Sequence, residues 1–232
     1  MKYVLSIDVG IVNLALCVMS IEDNHYKIHY WDVIDTVERT ENFCKSLTKK
    51  GTLCSKKCLY FYKNKDKSKS FSCKTHFPPD VPLSLVKIKK IKHISNHEIC
   101  KMMINTIEDI CSKNQELFSK ITDIVIELQP SINRKMVFTS NMLYCKLVDM
   151  YLDTNTSVKF VSASRKLKVY KGPYIKCNLK GIYAQRKWLA IEYCNWFLRS
   201  FDEEWSIFFN NKKTKADMAD CFLMAIDNLN YT

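Results

Sequence analysis

Glycine is scarce in this chain, which has 4 glycines among 232 residues. Loops that cradle the phosphates of a nucleotide need several closely spaced glycines between a strand and a helix, and no stretch of the sequence offers them. The sequence therefore excludes a P-loop and a dinucleotide-binding fingerprint, together with the mononucleotide chemistry that depends on these motifs.

Long apolar runs are also missing. No run approaches the ~20 apolar residues that a membrane-spanning helix needs, and Met1 and Lys2 lead into a strand pattern without the features of a signal or transit peptide. Most of the 11 cysteines stand singly within apolar patterns, where a thiol is a small buried hydrophobic group. We therefore expect a soluble protein of the reducing cytoplasm with no membrane partner.

Acidic residues are outnumbered by basic ones. Asp and Glu total 24 against 36 Lys and Arg, which gives a formal charge of +12 and a pI near 9.1. This charge favours a polyanionic partner such as nucleic acid over a neutral metabolite. The length suits one main domain of ordinary size with room for a small insertion.

The first nineteen residues contain two apolar, β-favouring runs with one carboxylate, Asp8, where the first run ends. Residues 4–7 predict a buried strand, and residues 14–18 predict a second strand paired with it after a turn at Val9 and Gly10. An acid is unusual in a buried strand. Asp8 therefore either caps the turn, as Asp often does, or belongs to a functional site.

Two further segments present acids from apolar surroundings. Thr122–Leu128 predicts the central strand of the sheet, apolar on both faces apart from Glu127. Asp217 and Asp220 lie three residues apart near the start of the last helix, so both project from one side of it. In the alternative interpretation, Asp217 forms a capping box with Thr214.

Three separate elements that one sheet would bring together thus end in carboxylates. Clustered carboxylates repel one another unless cations neutralise them. Oxygen ligands suit Mg²⁺, and two such ions ~4 Å apart activate water and stabilise the leaving oxygen in phosphodiester hydrolysis. The pattern therefore indicates a magnesium site for phosphodiester chemistry.

The stretch from Cys44 to His76 differs in composition from the rest, with ten lysines and one acid. It contains the spacing C-x9-C-x18-C-x2-H, formed by Cys44, Cys54, Cys73 and His76. Three thiolates and an imidazole suit a closed, tetrahedral structural zinc site, and a segment this polar would take most of its folding free energy from the metal. Cys58 is a fifth candidate ligand, and a set of loose surface thiols is the alternative.

We expect this zinc module to occupy residues 41–80, inserted into a main domain formed by 1–40 and 81–232. We hypothesise that its lysines add non-specific DNA affinity or a partner surface. The remaining pattern predicts strands over 26–34 and 158–161 and helices over 95–114, 134–152, 188–197 and 214–229. Residues 162–187 hold eight basic residues and no acid, and predict a loop that either contacts nucleic acid or is merely solvated.

Four motifs taken together resemble those of the RuvC-type Holliday junction resolvases. They occur in the family's order and cover most of the chain outside the zinc module. They are Ser6-Ile7-Asp8-Val9-Gly10 with Asn13-Leu14-Ala15, Ile126-Glu127 with Gln129-Pro130, Tyr183 with Arg186-Lys187, and Asp217-Met218-Ala219-Asp220. The resemblance is to the poxvirus and large DNA virus branch and extends to the fungal mitochondrial resolvases. One departure is Val12, where these relatives often have Lys.

The resemblance implies an RNase H-like α/β fold, with a mixed five-stranded sheet flanked by helices and the zinc module inserted. It implies a homodimer that nicks two opposing strands of a four-way DNA junction, with two Mg²⁺ ions per active site and no small-molecule cofactor. The implied catalytic residues and magnesium ligands are Asp8, Glu127, Asp217 and Asp220. The implied DNA-binding candidates are Lys166, Lys168, Arg186 and Lys187. For a viral protein the expected location is the host cytoplasm at replication sites, and a mitochondrial location is less expected.

Two other functions stay open from the sequence. Another RNase H-like nuclease would cut RNA–DNA hybrids or flaps, and a non-catalytic, zinc-bearing protein would bind DNA on a decayed nuclease scaffold. The fold alone does not separate these functions. The presence of all four acids argues against a decayed site.

Overall fold

Two compact units make up the chain in the computed structural model, which describes residues 1–23, 25–37, 43–63, 69–81, 94–201 and 203–230. The sheet unit comprises residues 1–36 and 96–232, and the inserted unit comprises residues 37–95. The predicted domain boundary at residues 40 and 41 lies outside the described residues, and the boundary at 80 and 81 stays a prediction.

The strands, in chain order, are β1 (Lys2–Asp8), β2 (Asn13–Glu22), β3 (His25–Asp35), β4 (Tyr60–Lys63), β5 (Lys69–Ser72), β6 (Asp123–Glu127) and β7 (Ser157–Val161). Five of them form one sheet in the order β3-β2-β1-β6-β7. The first three pair antiparallel, whereas β1, β6 and β7 pair parallel. The predicted mixed five-stranded sheet is confirmed. The prediction that 122–128 is its central strand is wrong, because β1 lies in the middle.

Both faces of the sheet are covered around β1 and β6. Val4 and Val125 belong to the core on one face, where the last helix packs. Ile7, Ile124 and other residues at alternate positions face the other way and are also fully buried. Burial on both faces explains why residues 124–126 of β6 are all apolar and why residues 4–7 of β1 are apolar apart from Ser6.

The helices are α1 (Asn96–Lys113), α2 (Gln115–Phe118), α3 (Arg134–Met150), α4 (Ile182–Leu198), α5 (Glu203–Asn211) and α6 (Lys215–Leu229), with a 3₁₀ helix at Lys166–Val169. α6 packs against β1, β2 and α4, and α3 packs against β6 and β7. Among the described residues, no helix has the length and apolar character that crossing a membrane would require.

The sequence pattern misses the first turns of α4 and the whole of α5. The prediction that residues 162–187 are a loop fails at its end, because α4 begins at Ile182. Its first turns contain Ala, Gln, Arg and Lys, which are good helix formers whatever their charge. The pattern also omits α5, a short helix rich in aromatic residues, which have weaker intrinsic helix propensity. Burial of Phe209 against the core stabilises α5 instead.

A tryptophan fixes the position of α6 over the sheet. The indole N–H of Trp31 on β3 donates to the carbonyl of Met218 at 3.0 Å. Its ring stacks on Phe209 at 5.1 Å between centroids and contacts Phe222 at the same distance. A buried aromatic with a satisfied polar group both packs and orients its partner. The first turns of α6 are therefore held in place beside the sheet.

In the described part of the inserted unit, two antiparallel pairings occur. One is the hairpin of β4 and β5. The other, here called the lysine hairpin, comprises residues 43–57, with bridges between Phe43 and Lys57 and between Leu47 and Leu53. Gly51 closes its turn with a φ of 75°, a conformation that favours glycine. A 3₁₀ helix at Lys74–His76 follows β5.

Candidate active site and metal centre

Asp8 and Glu127 end two neighbouring parallel strands. Ile7 of β1 pairs with Ile126 of β6, so the next residue of each strand is an acid at the same edge of the sheet. The side chains of Asp8 and Glu127 share a hydrogen bond, which raises the pKa of Asp8 and lowers that of Glu127. The backbone register therefore places two carboxyl groups in direct contact where the strands leave the core.

Asp217 and Asp220 project from the first turns of α6. Asp220 is 6% exposed, an unusual burial for an acid. The capping-box interpretation of Asp217 is wrong, because the side chain of Thr214 makes no capping hydrogen bond. The oxygens of Asp217 instead accept from Lys187 Nζ at 2.9 Å and from Asn13 Nδ2 at 3.3 Å. This acid is thus part of a cluster that reaches β2 and α4.

Two lysines lie among the carboxylates. Lys166 Nζ is 2.9 Å from Glu127 Oε1 and 2.9 Å from Asp220 Oδ2. Lys187 Nζ is 2.9 Å from Asp217 Oδ1 and 3.9 Å from Asp220 Oδ2. Each ammonium group contacts two acids, so the lysines link the ends of β6, α4 and α6. This contact offsets the repulsion that clustered carboxylates otherwise suffer.

Burial and neighbouring charge change the acidity of the cluster. Loss of hydration raises the pKa of Asp8 well above its ordinary value, and Glu127 and Asp220 raise it further. Burial also raises the pKa of Asp220, although Lys166 opposes this effect. For Glu127, burial is outweighed by the hydrogen bond from Asp8 and the charge of Lys166, which lower its pKa. Asp8 is therefore the carboxyl group that most favours a bound proton.

A cleft of about 310 Å³ opens beside the cluster. It is lined by the turn after β1 together with Asp8, Asn13, Lys187 and Asp217. Thr36 holds the turn, because its backbone N–H donates to the carbonyl of Val12 at 2.8 Å. The cleft therefore offers both negative and positive groups to a ligand.

The structure brings six of the eight predicted active-site and DNA-binding residues into one contact network: Asp8, Glu127, Asp217, Asp220, Lys166 and Lys187. Lys168 and Arg186 are exposed, and in the described part of the chain neither forms an ion pair with these acids. The sequence interpretation misses Asn13 as a partner of Asp217, although Asn13 belongs to the first resemblance motif. It also assigns Lys166 and Lys187 to DNA alone, whereas both contact carboxylates.

No protein-family model matches the chain. Solved structures that share its architecture over nearly its full length include two resolvases. The Fowlpox virus resolvase, solved with its substrate Holliday junction DNA, has a TM-score of 0.53 at 12% identity and covers 99% of this chain and 98% of its own. The yeast mitochondrial Holliday junction resolvase Ydc2 has a TM-score of 0.51 at 16% identity and covers 98% of this chain and 78% of its own.

This chain has the RNase H-like resolvase fold. The predicted fold class is thereby confirmed. Among curated proteins, the uncharacterized protein L451 of Acanthamoeba polyphaga mimivirus is 28% identical over 217 residues. That match covers 83% of this chain and 52% of the relative, so the chain spans about half the length of L451. This chain therefore has a relative in sequence among viral proteins.

A second cluster, in the inserted unit, has the geometry of a metal centre. Cys44 Sγ and Cys73 Sγ each lie 3.5 Å from His76 Nδ1, and Cys54 Sγ lies 3.8 Å from Cys73 Sγ. Around a tetrahedral zinc ion with bonds of ~2.3 Å to sulfur and ~2.0 Å to nitrogen, two sulfurs stand about 3.8 Å apart and sulfur and nitrogen about 3.5 Å. The Cys₃His group therefore has the donor types and spacing that zinc requires, with Nδ1 as the histidine ligand.

The thiols differ in their readiness to ligate a metal. Burial opposes ionisation of Cys44, but hydrogen bonds from Ser46 and His76 lower the pKa of its thiol to about 6. Burial and the neighbouring thiols raise the pKa of Cys58. Cys58 packs beside the cluster but lies outside the four residues whose donor atoms all fall within 4.8 Å of one another.

The carboxylates of the resolvase fold are spaced differently from the Cys₃His donors. In the described residues, the Cys₃His group alone has three or more donor atoms within 4.8 Å of one another. The ammonium group of Lys166 lies between Glu127 and Asp220. The acids provide hard oxygen donors suited to Mg²⁺, and a bound cation would share these oxygens with the lysines.

Proposed function

We propose that this chain is a structure-selective DNA endonuclease that resolves four-way Holliday junctions by paired symmetric nicks. The observation that carries the proposal is the convergence of Asp8, Glu127, Asp217 and Asp220, from three elements, on one edge of a resolvase-fold sheet. The shared fold of the Fowlpox virus and yeast mitochondrial Holliday junction resolvases supports the choice of substrate.

The donor set suits Mg²⁺, because all four proposed ligands are carboxylates and the site borders an open cleft. We infer that Asp8, Glu127, Asp217 and Asp220 hold two Mg²⁺ ions. When bound, these ions would activate the attacking water and stabilise the leaving oxygen of the phosphodiester. In this proposal, the buried carboxylates bind cations strongly, because a negative charge removed from water is costly until a cation neutralises it.

The lysines have a distinct part in the proposed reaction. Lys166 holds the side chains of Glu127 and Asp220 in one orientation through its two 2.9 Å contacts. Lys187 lines the cleft, so its ammonium group can contact a phosphate oxygen of the DNA. Positioning of reacting groups before the reaction lowers the barrier without any new bond.

Binding of the junction would use charge and shape. Lys168 and Arg186 are exposed, and in the proposal they contact phosphates, which carry no sequence information. A homodimer would present two active sites to opposing strands, so that dimer geometry selects the junction.

The Cys₃His group would hold a structural zinc ion that folds the inserted unit. We further propose that the protein acts in the host cytoplasm at viral replication sites.

The test is cleavage of a labelled, immobile four-way junction beside plain duplex and an RNA–DNA hybrid in Mg²⁺. Wild type would be compared with Asp8→Asn and with Asp109→Asn, a control at an exposed acid on α1. We expect symmetric paired nicks on the junction alone, lost in Asp8→Asn with junction binding retained and unchanged in Asp109→Asn. Cleavage of the hybrid would assign the protein to another class of RNase H-like nuclease. Tight binding without cleavage would indicate a non-catalytic DNA-binding protein.

A further inference from the structure

The lysine hairpin presents an exposed pair of apolar side chains. Leu47 and Leu53 form a direct antiparallel bridge, so their side chains lie on the same face of the hairpin. They are 62% and 63% exposed. Single exposed leucines are ordinary on protein surfaces, but a facing pair beside a turn is a local apolar patch. This patch is separate from the buried cysteines of the unit.

Positive charge surrounds this pair. The hairpin has no acidic residue among residues 43–57, and it has five lysines, all exposed: Lys45, Lys49, Lys50, Lys56 and Lys57. Lys49 and Lys50 lie in the turn itself, between the two leucines in sequence. Such a charge distribution fits a polyanion that extends along the hairpin.

The proposed zinc ligands hold the two sides of the hairpin together. Cys44 lies on one side and Cys54 on the other, and the backbone N–H of Cys54 donates to the carbonyl of Ser46 at 2.9 Å. The turn is closed by a hydrogen bond from the Thr48 N–H to the Thr52 carbonyl at 2.8 Å. The leucine pair is therefore presented from a constrained backbone, which lowers the entropic cost of binding.

We propose that the lysine hairpin is a second DNA-binding element, whose lysines contact phosphates while Leu47 and Leu53 pack against bases exposed at a branch point. The choice of DNA as the partner rests on the proposed function. In continuous duplex the base faces are hidden by stacking, whereas a branched or single-stranded region exposes them. Apolar side chains of DNA-binding proteins pack against bases where stacking is broken.

The two parts of the hairpin have different effects on binding. Lysine contacts with phosphates release counterions, so they make affinity depend on salt and act on every DNA. The leucine pair adds binding free energy only where bases are unstacked. It therefore favours branched DNA over duplex and has little effect on the salt dependence of binding. This difference makes the proposal testable with two double variants.

The test measures binding of the whole 232-residue chain, loaded with zinc and carrying Asp8→Asn, to a four-way junction and to duplex of equal length. In the proposed function, Asp8→Asn prevents cleavage during the measurement. For Lys49→Gln/Lys50→Gln we expect weaker binding to both DNAs. Because this variant cannot neutralise the two phosphates, raising salt from ~50 to ~200 mM should cost the parent about tenfold more affinity than the variant. For Leu47→Ser/Leu53→Ser we expect about tenfold weaker binding to the junction, less than about twofold for duplex, and an unchanged salt slope.

The controls are Lys113→Gln, which removes an exposed lysine paired within α1, and Leu59→Ser, which removes an exposed leucine outside the hairpin. Both should bind as the parent does, and all variants should hold one zinc per chain by metal analysis.

Unchanged junction affinity in both double variants would overturn the inference. If the double variants instead lose binding to polyglutamate, the partner is an acidic protein. If they lose binding to phosphatidylserine vesicles, the partner is a membrane surface. Failure of wild type to cleave the junction would contradict the proposed function while leaving this binding comparison valid.

Discussion

Asp8 and Glu127 occupy corresponding positions on two neighbouring parallel strands, each directly after a residue of the Ile7–Ile126 pair. The backbone register alone places these carboxyl groups in contact, and loss of hydration raises the pKa of Asp8. Folding therefore brings together groups that would repel one another when both are ionised. Such an arrangement costs stability and is typical of functional sites.

The substitution Asp8→Asn should stabilise the protein at neutral pH in buffer without added Mg²⁺. Because the pKa of Asp8 is raised, its contribution to stability is present at low pH and is lost as pH rises through the folded-state pKa. We expect Asp8→Asn to raise the unfolding free energy by on the order of 1 kcal/mol at pH 7 and by little at pH 4. The measurement is urea unfolding at both pH values, with Asp109→Asn as the control. A gain that is equal at the two pH values would contradict this explanation.

The substitution Lys166→Met should be strongly destabilising. It leaves Glu127 and Asp220 without their shared cation, and removal of one partner from a buried ion pair costs about 3–5 kcal/mol. The deficit should shrink as pH falls, because protonated acids no longer need the cation. Lys159→Met is the matched control, since Lys159 is half-exposed and 3.9 Å from Asp123, and should cost about 1 kcal/mol or less. Equal losses from the two variants in urea unfolding would count against a special role for Lys166.

The substitution Cys73→Ser should release zinc and unfold the inserted unit. Cys73 Sγ lies near both His76 Nδ1 and Cys54 Sγ, so its loss leaves an incomplete donor set. We expect less than one zinc per chain, and DNA binding that is weaker and less dependent on salt. Cys145→Ser, at an exposed thiol on α3, should keep both properties. An unchanged salt slope with zinc lost would contradict a DNA-binding role for the unit.

The substitution Gly10→Ala should distort the turn beside the cleft. A Cβ atom at this position would lie 2.3 Å from the carbonyl oxygen of Asn13, so the backbone must shift. Asn13 also donates to Asp217, and we expect cleavage to fall together with a loss of about 1–3 kcal/mol in stability. Val12→Ala, in the same turn, should cost about 1 kcal/mol or less. Wild-type stability and cleavage in Gly10→Ala would show that the turn accommodates the added methyl group.

Acid should weaken the fold partly through His29. Burial lowers the pKa of His29, and the nearby Lys27 and Lys120 lower it further. Stability from this group is therefore present above the unfolded-state pKa of ~6.5 and is lost as pH falls through the lower folded-state pKa. We expect Tm to fall less between pH 7 and pH 5 in His29→Gln than in wild type, while the exposed His97→Gln behaves as wild type. Parallel Tm profiles for all three proteins would remove His29 from the explanation.

Much of the fold follows from local patterns. In the strands that contain Asp8 and Glu127, apolar residues stand on each face that is buried. In α1, the apolar residues Ile99, Met103 and Ile107 recur at helical spacing. These patterns reflect burial of each element's own side chains, so they can be predicted without knowing which elements meet. The start of α4 escapes prediction because intrinsic helix propensity, and not apolar spacing, extends the helix there. The existence of α5 escapes prediction because burial of Phe209 in the core stabilises it.

The composition and spacing of the sequence by themselves determine a basic α/β protein, a Cys₃His donor set and acids at the ends of apolar elements. Tertiary structure alone decides that β1 is central and that Lys166 lies between Glu127 and Asp220. Lys166 is 39 residues from Glu127 along the chain, and no local pattern encodes a contact at that separation. Such ion pairs depend on how strands and helices converge, which is set by the packing of the whole core.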